Sequence, residues 1–353
     1  MSPSLILALY GLLFLIMFSL CLLGFIIIRR LVLTRREAFF SRLYRQIEKD
    51  ILEAISRLDP DFSLKVAGRY RGYPQVLTQA LLNFGDIIIG EGRDQLRIIF
   101  NHSVKERCLK HLTSRRTAKR LQSVRLFIIF FDPAESGFLF RLLDDKPIIK
   151  LAVINALSRL PSPETLGHIF TAFERDTGFT VQAYFNVMFS LGGRIELLVK
   201  ESLKKTLPVD KLGLLVELIG AIPLRNLSEE VLALAEHPDK EIRIRVARAL
   251  GRLLVPETAE TLIRLASDEA WEVKAQAVKS LGKMKNLQAL DLLTKSLFSP
   301  FWYVRHNAGY GLAEMGEAGL RRLKQVAGQE EDKYARDMSE MVLNDLIFPS
   351  EAA

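Results

Sequence analysis

An unbroken apolar run lies near the start of the chain. It extends from Leu5 to Ile28, 24 residues without a charge. At about 1.5 Å per residue, a helix of this length would cross a bilayer core of about 30 Å with some tilt. A cleaved signal peptide and a buried core helix are the alternatives. The first would have a basic start and small residues at its end, and the second need not be apolar on every face. The pattern therefore predicts an uncleaved membrane anchor, assigned to residues 1–34.

Positive charge flanks this run on one side only. It is followed by four arginines and a single acid, Glu37, whereas the only charge before it is the α-amino group. The arginines are Arg29, Arg30, Arg35 and Arg36. The positive-inside rule then places the N-terminus outside and the following domain in the cytoplasm. We predict a single-pass protein of the cell membrane.

Helical periodicity continues after the anchor as far as a proline. No Pro or Gly occurs between Phe25 and Asp59, so the anchor helix is expected to run on into the cytosol. One apolar residue per turn would be buried: Phe40, Leu43, Ile47, Ile51, Ile55 and Leu58. Asp59-Pro60 would end the helix, because proline disfavours the helical conformation of the residue before it. Short helices are expected after that, with a turn at "DIIIG" from Asp86.

From residue 115 onward the apolar pattern repeats every 31 residues. One column is apolar at seven positions: Leu126, Leu157, Met188, Ile219, Leu250, Leu281 and Leu312. A second column contains Phe138, Ile169, Val231, Leu262 and Leu293, and its two gaps follow Val199 and Leu323. A third places Gly220, Gly251 and Gly282 directly after the first. Self-similarity at this period predicts stacked units that share one core.

Each unit is expected to be a helical hairpin. Ile242, Val246 and Leu250 form the apolar stripe of one first helix, and the next two units copy it. Residues suited to cap the first helices precede them: Asp239, Asp268 and Ser299. Pro300 suits a first helical position. The column of glycines would let helices approach closely or would end the first helix.

The units resemble the HEAT-repeat family, in particular its short bacterial type, also seen in proteins similar to phycobilisome lyases. The resemblance rests on "EIRIRVARALG", "EVKAQAVKSLG" and "YVRHNAGYGLAEMG". The family's basic residue after a branched apolar position occurs at Arg243, Lys274, Arg305 and Lys150. It is missing from the repeat between Lys211 and Gly220, and the repeat between Val181 and Gly193 is shifted in register.

This resemblance implies an all-α fold: a HEAT-type α-solenoid of helical hairpins behind a single transmembrane helix. The repeat array is assigned to residues 115–330, and a membrane-proximal region of divergent repeats to 35–114. Residues 331–353 would form a C-terminal capping helix and tail.

No catalytic or metal-binding motif occurs in the sequence. None of the five histidines is followed by Glu or pairs with another at the spacing of metal ligands. Phosphate-binding glycine loops, the nucleophile elbow and C-x-x-C are also absent. We therefore expect no enzyme activity, metal or cofactor. Cys21 and Cys108 form no disulfide framework, because Cys21 lies in the apolar run.

Positive charge is concentrated close to the predicted membrane anchor. Residues 29–125 contain 21 Lys and Arg against 10 Asp and Glu, a net +11, whereas the remainder is −3 of the total +8. Eight basic residues there face one acid, Glu106: Lys105, Arg107, Lys110, Arg115, Arg116, Lys119, Arg120 and Arg125. The spacing of Arg115, Arg116, Lys119 and Arg120 predicts one exposed helix face. Contact with anionic lipid or an acidic partner is one interpretation and a solvated face the other. Nucleic acid is not expected, because no aromatic residue is interleaved.

Aromatic residues gather at one junction between repeats. The stretch "FSPFWYVR" contains four of them, and Trp271 occupies the same repeat position as Trp302. Packing between repeats is one explanation and a binding anchor the other. Trp271, Trp302 and Tyr303 are therefore candidate contacts for a protein partner.

The sequence as a whole predicts a membrane-anchored cytoplasmic scaffold that binds a protein partner through a HEAT-repeat solenoid. Residues 5–28 would hold it in the membrane, and the partner could itself be a membrane-embedded enzyme. The alternative is a subunit of a lyase-like or other HEAT-type enzyme.

Overall fold

The computed structural model describes residues 3–130, 136–159, 162–177, 181–328 and 332–347. Every regular element in these ranges is helical, which confirms the predicted all-α class. The chain divides into two compact units, Met1–Glu135 (unit 1) and Ser136–Ala353 (unit 2). The boundary predicted between residues 114 and 115 falls inside unit 1, and the predicted domain limits remain predictions.

The described residues of unit 1 form one long helix and five short ones. The long helix, α1 (Pro3–Arg57), has 55 residues. The short helices are α2 (Pro60–Tyr70), α3 (Pro74–Gly85), α4 (Glu91–Ser103), α5 (Lys105–Leu112) and α6 (Thr117–Ile129). Among the described residues, only α1 is long and apolar enough to cross a membrane, and the side chains of its apolar segment are not buried. The expected continuation of the anchor helix and the turn at "DIIIG" are both confirmed.

The end of α1 follows from the residues around Pro60. The helix ends at Arg57, and Asp59 caps α2 by accepting a hydrogen bond from the Asp61 amide at 3.0 Å. The predicted stripe is buried at its centre, where Ile47 and Ile51 are inaccessible to solvent. The prediction for Leu58 is wrong. Leu58 is 42% exposed with a φ of +52°, because the chain turns there instead of continuing the helix.

The described residues of unit 2 form a succession of helices. Its helices are α7 (Ser136–Phe140), α8 (Pro147–Leu157), α9 (Pro163–Arg175), α10 (Val181–Leu191), α11 (Glu196–Leu203), α12 (Val209–Ala221), α13 (Ser228–Leu232), α14 (Lys240–Leu253), α15 (Ala259–Leu265), α16 (Trp271–Met284), α17 (Leu290–Ser296), α18 (Trp302–Glu314), α19 (Glu317–Ala327) and α20 (Lys333–Ile347). From α12 to α19 they form hairpins, and the first helices α12, α14, α16 and α18 pack side by side. The predicted HEAT-type α-solenoid is confirmed.

The predicted apolar columns form the core. All seven residues of the first column are inaccessible to solvent. The second column is buried at Ile169, Val231, Leu262 and Leu293, and at the shifted residues Val199 and Leu323. The prediction for Phe138 is wrong. Phe138 is 45% exposed while Leu139 is buried, so the register of α7 is shifted by one residue.

The column of glycines brings first helices of successive repeats together. A Cβ on Gly251 would lie 2.4 Å from the Cβ of Ser280, and a Cβ on Gly282 would lie 2.4 Å from the Cα of Gly311. Both α14 and α16 continue beyond their glycine. The predicted helix termination is wrong, and the close approach occurs to the first helix of the next repeat and not, as predicted, between the two helices of one hairpin.

One of the three predicted helix caps is confirmed. Asp239 caps α14 by accepting a hydrogen bond from the Glu241 amide at 2.7 Å. Asp268 and Ser299 each accept from an amide two residues ahead, but the cap positions of α16 and α18 are Ala270 and Phe301. These two helices therefore begin later than predicted, and Pro300 precedes the cap of α18.

Candidate functional site

Ring-bearing residues from two repeats form a continuous cluster on unit 2, here called the aromatic strip. It consists of Trp271, Phe301, Trp302, Tyr303, His306 and Tyr310. Trp271 and Trp302 are the first residues of α16 and α18, so the side-by-side packing of these helices brings their ends together. Trp271 stacks with Phe301 and Tyr303, with ring centroids 5.6 and 5.8 Å apart and planes 17° apart.

The strip continues along α18 from turn to turn. The Trp302 ring lies 4.7 Å from that of His306, which lies 4.6 Å from that of Tyr310. The Tyr310 hydroxyl donates to the Asp345 carboxylate on α20. Packing between repeats accounts for Trp271, which is half-buried. Trp302 and Tyr303 remain 48% and 59% exposed, and their binding role remains a prediction.

Basic side chains lie on the helices next to the strip, here called the basic ridge. It consists of Arg248 and Arg252 on α14 and Lys279 and Lys283 on α16. Arg248 lies 4.0 Å from Glu217. In the part of the chain that the structure describes, the other three form no ion pair. Sequence reasoning missed this ridge, although its residues recur at the repeat spacing and two of them precede Tyr310 and Glu314 by one repeat.

The predicted basic face of unit 1 is not one helix face. Lys105, Arg107 and Lys110 belong to α5, whereas Arg115 and Arg116 lie in the turn before α6. Of the four residues predicted to share a face, only Lys119 and Arg120 lie within α6, in its first turn. The spacing of these residues predicted one continuous helix, but α5 ends at Leu112 and α6 begins only at Thr117, so Arg115 and Arg116 lie between the two helices.

Arg120 is buried, contrary to the expectation that it faces solvent. Its guanidinium donates to the backbone carbonyl of Ser114, six residues earlier. Arg243 and Arg305 make the same contact, to the carbonyls of His237 and Ser299 at 2.9 and 2.8 Å. This shared geometry assigns Arg120 to the structure of the repeat.

The buried Arg243 is neutralised by an aspartate of the next repeat. Its Nε and Nη2 donate to the two Asp268 carboxylate oxygens at 2.7 and 2.9 Å. Burial is the largest single influence and would raise the pKa of Asp268, but the hydrogen bonds from Arg243 and the Ala270 amide, together with the charges of Arg243 and Lys274, lower that pKa overall. Lys150 pairs with Asp176 at 2.9 Å in an earlier repeat. These charges stabilise the fold and are not available to a ligand.

In the repeat predicted to lack the basic residue, a buried lysine takes the role that Arg243 has in its own repeat. Lys211 lies one position before the expected one and donates to the backbone carbonyl of Glu174 at 2.6 Å. Its ammonium also lies 5.8 Å from the centroid of the Phe173 ring. Burial lowers the pKa of Lys211.

The surroundings of α5 are electrostatically positive. The pKa of His111 is lowered by burial and by the charges of Lys119 and Arg107. Burial raises the pKa of the Cys108 thiol to about 11, so this cysteine is a poor nucleophile. Among the described residues, no group of three or more His, Cys, Asp and Glu side chains could hold a metal ion.

Comparisons with known proteins agree with this architecture. A family model of HEAT repeats matches residues 228–313, which include the whole aromatic strip. No curated protein matches the chain. The chain is similar to Kap121p, with 12% identity and a TM-score of 0.50 over 85% of this chain and 41% of that one. It is also similar to YibA of E. coli, with 14% identity and a TM-score of 0.42 over 76% and 96% of the two chains. For the CpcE–CpcF complex of phycocyanin lyase from Nostoc, the values are 14% and 0.30 over 68% and 94%.

Proposed function

Because this chain is a HEAT-repeat protein, we propose that it is a membrane-anchored scaffold that holds a protein partner at the cytoplasmic face of a membrane. Repeat arrays offer long, rigid surfaces, and a tether raises the effective concentration of whatever they bind. The observation that carries the proposal is the aromatic strip, since two large rings on a well-packed array are left about half exposed.

The anchor is residues 5–28 of α1, with the N-terminus outside. The side chains described in this segment are exposed almost throughout, which suits a lipid environment and does not suit water. Arg29, Arg30, Arg35 and Arg36 follow it on the same helix and favour a cytoplasmic position for the rest of the chain.

The partner surface is the aromatic strip together with the basic ridge. Aromatic side chains are enriched among the residues that dominate protein–protein affinity, and rim charges select a partner of opposite sign. Trp302 and Tyr303 would anchor an apolar or aromatic side chain of the partner. The ridge would favour a partner segment that is acidic next to that anchor.

Photocrosslinking tests this surface directly. A photoreactive amino acid in place of Tyr303 should give a discrete crosslinked product in native membranes, and the same group in place of Gln288, exposed between α16 and α17, should not. Trp302→Ala should remove the product when Tyr303 carries the label, whereas Leu287→Ala, at a residue 65% exposed and away from the strip, should leave it. Equal products from both label positions would rule out the strip as the partner site.

Thiol labelling tests the orientation. Cys108 is buried and cannot serve as the reporter, so an exposed cysteine is introduced as Gln288→Cys in a chain with Cys21→Ser. A membrane-impermeant reagent should label it only after the cells are permeabilised. Labelling in intact cells would reverse the proposed orientation.

The alternative of a lyase-like or other HEAT-type enzyme subunit remains a hypothesis, and no contact in the described residues favours it over a scaffold.

A further inference from the structure

Unit 1 has one end that lies nearest the predicted membrane span, and α1 defines it. Residues 17–39 of α1 are exposed along nearly their whole length, and Ile47 is the first inaccessible side chain among those described from residue 17 onward. Neighbouring helices begin to contact α1 near Phe39, whose ring lies 6.0 Å from that of Tyr73. The end of unit 1 beside residues 39–45 therefore faces the anchor.

The turn between α2 and α3 lies at this end. α2 starts beside the far end of α1 and runs back along it, since the Tyr70 hydroxyl donates to the Asp50 carboxylate at 2.7 Å. Tyr73, at the start of α3, reaches Phe39. Arg71, between these two tyrosines, is exposed and belongs to the membrane-facing end.

The junction between α4 and α5 lies at the same end. α4 begins at the far end, where a Cβ on Gly92 would lie 3.0 Å from Ile55. It runs parallel to α2, because the Ser63 hydroxyl donates to Gln95 at 2.8 Å. The last turn of α4 and the start of α5 then line one cleft of about 560 Å³ with Arg71. Arg107 and Lys110 line that cleft from α5.

The turn between α5 and α6 adds the remaining positive charge. Arg115 and Arg116 are exposed in this turn, and Lys119 follows in the first turn of α6. Lys119 is close enough to His111 to lower its pKa together with burial and Arg107. Three separate turns thus bring basic side chains to one end, and the acid among them is Glu106. This basic end is defined as Arg71, Lys105, Arg107, Lys110, Arg115, Arg116 and Lys119.

We propose that the basic end of unit 1 docks onto the anionic headgroups of the membrane in which α1 is anchored. The inference rests on the proposed anchoring. From Ile28 to Phe39 the helix rises about 16 Å, and the headgroup layer occupies the first 5–7 Å or so of that distance. The remaining gap of about 10 Å is close to the Debye length of about 8 Å, and an ordinary helix tilt of about 20° shortens it. The basic end is thus held within electrostatic range of the surface.

The docking would fix the tilt of unit 1 on the membrane. A helix alone allows the domain to swing about its anchor, whereas charged contacts from three turns resist that motion. Anionic lipid is the occupant that geometry favours, since the same helix that carries the basic end also sets its distance from the bilayer. An acidic protein would remain as the occupant of this end if exchange in the purified chain did not depend on the lipid.

Hydrogen exchange of the full chain in lipid nanodiscs tests the docking. We expect slower amide exchange in residues 69–74, 101–107 and 113–119 when discs contain phosphatidylserine than when they contain phosphatidylcholine alone, and loss of the difference in high salt. Arg71→Glu with Arg107→Glu should abolish the difference. Arg57→Glu with Lys65→Glu, an equal charge change on exposed residues of α1 and α2 away from this end, should retain it.

Equal exchange in the two lipids, or equal loss in both double variants, would overturn the docking while the chain stays in the disc. Failure of the anchoring would look different, because the chain would leave phosphatidylcholine discs altogether. Retention on phosphatidylserine discs alone would then keep the basic end as a lipid contact and discard the anchor, and loss from both discs would discard both.

Discussion

Two stretches of unit 2 bury the same apolar column but join their helices differently. The irregular repeats, residues 147–221, contain Leu157, Met188 and Ile219, and the regular repeats, residues 240–314, contain Leu250, Leu281 and Leu312. All six side chains are inaccessible to solvent. The HEAT-repeat match covers residues 228–313 and so omits the irregular repeats. The buried column is therefore what both stretches need in order to stack, and it is not what makes a repeat recognisable.

Backbone contact is the first difference between these stretches. In the regular repeats, glycine follows Leu250 and Leu281, and Gly282 approaches Gly311 so closely that a Cβ would collide with its backbone. In the irregular repeats, Ser158 and the half-exposed Phe189 follow Leu157 and Met188, and glycine appears only after Ile219, at Gly220 next to the regular repeats. Stacking tolerates either spacing because the apolar side chains fill the space between helices.

The buried cation is the second difference. Arg243 satisfies a carboxylate and two backbone carbonyls at once through its five donors. Lys150 and Lys211 occupy related positions in the irregular repeats, with one carboxylate and one carbonyl as their respective partners. The requirement common to both stretches is a cation near the start of a first helix, and its partners vary.

Removal of the aspartate partners should separate the two stretches most strongly. Asp268→Asn leaves the buried Arg243 guanidinium with only the solvent-exposed Glu269, 3.6 Å away, as a counter-charge, and a loss of about 3–5 kcal/mol in the free energy of unfolding is expected. Asp176→Asn should cost less, because a lysine left alone can release its proton and an arginine cannot. Trp271 and Trp302 are the two tryptophans of the chain, so tryptophan fluorescence in urea reports on unit 2. An equal loss for both variants would contradict the distinction.

Truncation in the shared column should affect both stretches alike. Leu250→Ala and Met188→Ala each remove a fully buried side chain, and each should lower the free energy of unfolding by about 2–5 kcal/mol. Leu287→Ala, at an exposed position, is the matched control and should change it by less than about 0.5 kcal/mol. If Met188→Ala behaved like the control, the irregular repeats would not depend on the column.

A methyl group on glycine should have opposite effects in the two stretches. Gly282→Ala forces α16 and α18 apart and should destabilise unit 2 by about 1–3 kcal/mol. Gly167→Ala lies inside α9, where a Cβ would meet no atom within 4 Å, and it should stabilise by up to about 1 kcal/mol through helix propensity. Thermal melting of both variants measures the two effects, and a melting temperature that moves in the same direction for both would contradict the prediction.

The two tryptophans should differ in what their removal does. Trp271→Ala deletes two ring stacks and should lower stability by about 1–3 kcal/mol. Trp302→Ala should lower it by less than about 1 kcal/mol, because half of that ring already faces solvent. If Trp302 is a partner contact, Trp302→Ala should reduce the crosslink from position 303 more than Trp271→Ala does. A stability loss for Trp302→Ala as large as that for Trp271→Ala would make it a packing residue.

Low pH should weaken the ion pair between Asp268 and Arg243, with a smaller effect on stability than the substitutions above. The folded pKa of Asp268 is lowered, so its contribution to stability is present above the unfolded value of about 4 and is lost as the pH falls through the folded value. The midpoint of urea unfolding should therefore decline below about pH 4, and by less in Asp268→Asn, which has no carboxylate to protonate. An identical pH profile for the two proteins would argue against the pair.

Local pattern was enough to predict the helical class, the continuation of α1 and the buried first column. Apolar residues at one helical position per repeat can all leave water only if the repeats stack, and a proline such as Pro60 limits the helix before it. The predicted columns are wrong where the register shifts by one residue, at Phe138 and around Lys211. A fixed period of 31 residues cannot detect a turn that is one residue longer or shorter.

The sequence by itself thus determined which residues are buried along each repeat and where the charge and the aromatic rings are concentrated. Only the tertiary structure decided which of those residues remain accessible. Arg120 and Trp302 both belong to clusters marked by composition, yet the first is turned inward by a backbone carbonyl and the second is left half exposed. Likewise, Arg71 and Arg116 are far apart in sequence and lie at one end of unit 1, Arg71 because α2 runs antiparallel to α1 and Arg116 because α6 begins at that end. Accessibility and proximity depend on how helices pack against one another, and that information is not carried by the pattern of any single helix.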